Sequence, residues 1–77
     1  MNKVRRKVLE DAISKIEEAQ ELIASIAEEE RECFDNMPEG LQEGERGQSI
    51  SDNADDLENA DSDFETLLDT LREVLER

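Results

Sequence analysis

Apolar side chains recur along the first half of the chain at helical intervals. Leu9, Ile16 and Ile23 repeat every seven residues. Ala12, Ala19, Ile26 and Cys33 form a second line three residues on, and Ile13, Ala27 and Phe34 a third line four residues on. Together they make a stripe about 100° wide, the pattern of a helix packed against a partner. Gln20 and Glu30 interrupt it. No Gly or Pro precedes Pro38, and good helix formers fill most other positions. The pattern predicts one unbroken helix over about 3–36, near 50 Å long at about 1.5 Å per residue.

The second half repeats the pattern more cleanly. Ile50, Leu57, Phe64 and Leu71 are spaced by seven, flanked by Ala60, Leu67 and Val74 on one side and by Ala54, Leu68 and Leu75 on the other. Asp61 stands in the last line, where an apolar residue is expected. This predicts a helix over about 48–76. Its start falls between Glu45 and Asp52, with Gly44, Ser49 and Ser51 as rival N-caps. Ser49-Ile50-Ser51-Asp52 has capping-box spacing, with Asp in place of Glu or Gln.

Between the helices lies a corner, 37–47. Pro38 lacks an amide hydrogen and biases Met37 away from helical geometry, so the first helix stops there. Pro38-Glu39-Gly40-Leu41 suits a single turn, with Asn36 as a candidate cap, and Gly40, Gly44 and Gly47 allow positive φ. Met37 and Leu41 are expected to fold back over the bundle end near Phe34.

Two amphipathic helices joined by so short a corner predict an all-α fold. It is one domain, an antiparallel two-helix, coiled-coil-like hairpin. Lys3, Arg5, Arg6 and Lys7 then lie beside Glu73 and Glu76. Stripes three lines wide on both helices offer more apolar surface than one hairpin covers. A homodimer forming a four-helix bundle is the expected remedy, with a third-party protein as the alternative.

Composition narrows the function classes. Seventy-seven residues with two aromatics and a formal net charge of -14 make a small core under a carboxylate-rich surface. Such a chain repels DNA, RNA and anionic lipid, so its partners are expected to be basic surfaces. The single Cys33 cannot form an internal disulfide. Its place on the line of Ala19 and Ile26 predicts a buried, inert thiol. No apolar run reaches membrane-spanning length, and acids follow the basic start where a signal peptide would turn apolar, so a cytoplasmic protein is expected.

Catalytic chemistry finds no foothold. There is no His, the commonest general base and metal ligand, and no group to activate a serine or Cys33. Loops starting at Asp52 or Asp61 place Leu57 or Thr66 where a calcium-binding loop needs Gly. The sequence predicts no enzyme, no cofactor and no metal site.

The corner carries a resemblance. Glu32-Cys33-Phe34-Asp35-Asn36-Met37-Pro38-Glu39-Gly40-Leu41-Gln42, followed by Glu45-Arg46-Gly47, resembles a family of short acidic helical-hairpin proteins of phages and prophages of Gram-positive bacteria. Members have an Asp-Asn-Met-Pro-Glu-Asn-Leu-Gln type corner, aromatics where Cys33 and Phe34 stand, Asn in place of Gly40 and Ser in place of Gly44. The flanking helices match only in style. The resemblance implies a mobile-element origin and a hairpin, and brings no activity with it. The departure at Gly44 argues against a cap there and for a later helix start.

Charge distribution supplies the remaining signal. Between Ile16 and Leu71 stand 19 acids and only two bases, Arg31 and Arg46, while the other bases cluster toward the termini. Carboxylates three or four residues apart on a helix lie about 5–6 Å apart, close to phosphate spacing along a strand. The expected function is non-enzymatic protein–protein binding, as a structural or adaptor bundle. The alternative is a nucleic-acid mimic that blocks the basic groove of a host or phage nucleic-acid-binding or defence protein. Candidate partner-binding residues are Phe34, Asp35, Met37, Glu39, Leu41 and Glu43 at the corner. Asp52, Asp55, Asp56, Glu58 and Asp63 are the candidates on the second helix. Acidic solvent faces are ordinary on coiled coils, which is the plainer account of the same residues.

Overall fold

The run free of Gly and Pro forms one helix, α1, over Lys3–Asp35. Asn2 caps it, its side-chain oxygen accepting a hydrogen bond from the Arg5 amide at 2.8 Å. At the other end the amides of Asn36 and Met37 donate to the carbonyls of Glu32 and Phe34, at 2.9 and 3.1 Å. In this computed structural model, which covers residues 1–77, a single helical turn, α2 (Glu39–Gln42), follows Pro38. The second long helix, α3, spans Glu45–Glu76 and returns antiparallel along α1. There are no strands.

The molecule is a rod of 58 × 15 × 14 Å with a radius of gyration of 17.4 Å. A globule of this chain length would have a radius near 11–12 Å. The extended shape follows from two helices of about 50 Å with nothing to fold across. The hairpin reading therefore holds, with one shift in bounds. Helix α3 begins at Glu45, earlier than about 48, with Gly44 in extended geometry as its N-cap. Ser49 and Ser51 lie inside the helix and cap nothing.

The corner also corrects the reading of its glycines. None has positive φ. Gly47 serves a different need, because a Cβ there would come 2.5 Å from the Leu41 carbonyl oxygen and closer still to that of Gln42. Only a residue without a side chain lets α3 start directly under α2. Gln42 then locks the corner. Its side-chain amide donates to the Phe34 carbonyl at 2.8 Å, and the Gln48 side chain donates to the Gln42 carbonyl at 3.2 Å.

The core is thin. Ile13, Ala27, Ala54 and Leu68 are its only buried apolar residues, with Gly47 the one other buried position. A hairpin of two helices can enclose little more than one line from each stripe. The outer lines therefore remain at the surface.

Candidate functional site

The seam between the helices has two sides, one crossed by the Asn53 side chain donating to Glu30 at 3.2 Å and the other by the pairs of Arg31 and Arg72. On one flank a shallow groove is lined by Ile26, Glu30, Asn53, Asp56 and Leu57. Val8 precedes Ile26 by 18 residues, and Val4 precedes Leu22 by the same interval. Eighteen residues make five full helical turns, so all four valine, leucine and isoleucine side chains follow one side of α1. Val4 is 73% exposed and Leu22 68% exposed, and Val8 and Ile26 are exposed as well. On α3, Leu57 and Phe64 are half-buried seven residues apart, and Phe64 lines a second shallow groove with Ala60, Asp63 and Leu67. This side of the rod carries apolar patches, with the exposed Lys15, Glu18 and Glu29 standing between them on α1.

The other flank is polar. Arg31 reaches across the seam to Asp55 at 2.5 Å and to Glu58 at 3.0 Å. These hydrogen bonds, Glu58's first and then Asp55's, hold the guanidinium pKa above its ordinary value. Gln20 donates to Glu65 at 2.6 Å, and Arg72 pairs with Glu17 at 3.4 Å. Ala24, Ala27, Arg31, Glu58 and Asp61 line a groove here of about 410 Å³. Gln20 and Asp61, polar breaks in the apolar lines, thus sit on the wet side of the seam. The small Ala24 and Ala27 leave Asp61 room to stay half-exposed.

At the open end the expected pairing of Lys3, Arg5, Arg6 and Lys7 with Glu73 and Glu76 is absent. Arg6 instead donates to the Leu75 carbonyl. A guanidinium there meets the negative end of the α3 dipole and an otherwise orphaned carbonyl, which carboxylates on the outer face cannot offer.

At the corner, Phe34 and Met37 are half-buried while Leu41 is 59% exposed. The expectation that all three close the bundle end therefore fails for Leu41. Leu41 rides the outer side of α2, which turns its other side to α3. Cys33 is exposed rather than buried. Its line, shared with Ile26, lies at the edge of the stripe, where α3 covers it only in part. With Met37, Leu41 and Ile50, Cys33 borders an apolar groove of about 470 Å³.

The candidate acids do not form one face. Asp35, Glu39 and Glu43 are exposed around the corner. Asp55 and Glu58 are held by Arg31 on the polar flank, whereas Asp56 and Asp63 border grooves on the apolar flank. Asp52 is exposed near the corner. No three His, Cys, Asp or Glu side chains converge as a metal ion would need, and no helix is long and apolar enough to cross a membrane.

Val4, Val8 and Leu22 were not among the sequence-predicted surface residues. Their signal is the 18-residue interval, which a search for seven-residue repeats passes over. No protein-family model, no curated protein and no solved structure matches this chain.

Proposed function

We propose that this chain is a non-enzymatic protein–protein binding module whose apolar flank is covered by a second copy, giving a homodimeric four-helix bundle that serves as a structural or adaptor element. One observation carries the reading. Val4, Val8, Leu22 and Ile26 stand exposed on one side of α1, Ile26 beside the half-buried Leu57 of α3, and Leu67 stands exposed beside the half-buried Phe64. Exposed apolar side chains gathered on one side of a helix mark an interaction face. A second hairpin of the same length matches its extent from end to end.

Sedimentation at micromolar concentration tests it, with an expected mass twice the 8.8 kDa of the chain. Leu22→Glu should shift the protein toward monomer while its helical circular dichroism persists. A monomer at every concentration would sink the homodimer and leave a foreign protein as the occupant.

A second reading rests on the rest of the surface. Glu21, Glu28 and Glu32 are exposed along one line of α1 with no cross-helix base beside them. Such a row suits the basic groove of a nucleic-acid-binding protein, in the manner of a nucleic-acid mimic. Its mark is binding that weakens steeply with salt.

A further inference from the structure

We infer that the two copies lie head-to-tail, the open end of each hairpin seated against the corner of the other. The inference rests on the homodimer reading and adds its geometry. A two-fold symmetric pair of rods has two ways to join one flank. With the axis along the rods, corner meets corner. With the axis across the rods, the open end meets the corner.

Charge selects the second. Lys3, Arg5, Arg6 and Lys7 give the open end of α1 its positive charge, and no acid precedes Glu10. Around the corner stand Glu28, Glu29, Glu30, Glu32, Asp35, Glu39, Glu43 and Glu45, against Arg31 and Arg46 alone. Arg31 is already engaged by Asp55 and Glu58. Corner on corner would press these carboxylates together, whereas corner on open end faces them with Lys3, Arg5 and Lys7, Arg6 being engaged by the Leu75 carbonyl, and with fewer acids, Glu73 and Glu76 of α3.

Shape agrees with charge. At the open end Val4 and Val8 project from the outer side of α1, and Met1 is exposed near them. At the corner the same flank is recessed, in the groove bordered by Cys33, Met37, Leu41 and Ile50. Val4 and Cys33 lie about 44 Å apart along α1 at 1.5 Å per residue. A two-fold axis through the middle of the rod, near Leu22 and Leu67, brings each projection onto the other copy's groove.

The native thiol reads out the arrangement. Under mild oxidation the wild-type protein should not form a covalent dimer, because head-to-tail packing holds the two Cys33 thiols about 40 Å apart. Val4→Cys should form one readily, since it brings a thiol at position 4 beside Cys33 of the other copy. Val4→Cys combined with Cys33→Ala should lose it again. Within one chain positions 4 and 33 are too distant to join, so any 4–33 bond is between copies. Covalent dimers of the wild type, or of the Val4→Cys, Cys33→Ala double variant, would place like ends together and overturn the inference. Sedimentation of the same samples separates this from failure of the dimer itself: a reduced protein that is monomeric removes the underlying reading, while a reduced dimer linked through Cys33 removes only its sense.

Discussion

Gly47 is the residue on which the corner turns, for a steric reason. A methyl group there meets the Leu41 and Gln42 carbonyls, both backbone atoms of α2 that no side-chain rotation can move aside. Gly47→Ala should therefore destabilise the hairpin by about 1–3 kcal/mol, the usual range for overpacking. Gly40 is the internal control. Nothing lies within 4 Å of a Cβ there and its φ is not positive, so Gly40→Ala should gain up to about 1 kcal/mol from helix propensity. Urea titrations followed by circular dichroism compare the two. Equal effects would mean that the close approach at Gly47 is relieved at no cost. Sequence patterning ranks all three glycines alike, as breakers, because the partner of Gly47 is backbone brought near only by the finished turn. Arg31 was legible in a similar half-measure. Its isolation among acids is plain in the chain, but its choice of Asp55 and Glu58 depends on the register of α1 against α3.

Among the elements, α1 was the most legible and α3 the least at its start. Pro38 ends α1 by removing an amide donor, a local effect that needs no tertiary knowledge. The start of α3 at Glu45 depends on Gly44 and Gly47 packing under α2, which overrides the capping-box spacing at Ser49. Substitution decides between these origins. If Ser49 capped the helix, Ser49→Ala would cost about 0.5–2 kcal/mol. Inside the helix and exposed, the same change should be neutral or gain roughly 0.5 kcal/mol, since Ala is the better helix former. A thermal melt of the variant that falls by several degrees would return the start of α3 to Ser49. Cys33 and Ile26 show the other limit of patterning. Period alone assigns them to the stripe, yet a single facing helix reaches only its middle, and the edge lines stay exposed.

At the scale of the whole rod, self-repulsion competes with a thin core. Nineteen acids between Ile16 and Leu71 share a body 58 Å long, and the ion pairs crossing it come from Arg31 and Arg72 alone. Folding brings these carboxylates closer than they are in the unfolded chain, so low salt should weaken the native state. Screening shortens from about 30 Å at 0.01 M to about 10 Å at 0.1 M, which spans most separations along the rod. The melting temperature should therefore rise with sodium chloride over that interval. A gain of 1 kcal/mol corresponds to about 4–8 °C for a domain of this size. Self-association should tighten in the same direction, because two copies of charge -14 meet along an apolar flank. Binding of a basic partner to the acidic surface should move the opposite way. Measured together by sedimentation and by titration against a polylysine probe, the two slopes separate the faces. A melting temperature that falls with added salt would show that Arg31, Arg72 and the basic open end outweigh the repulsion, and that charge holds this hairpin together.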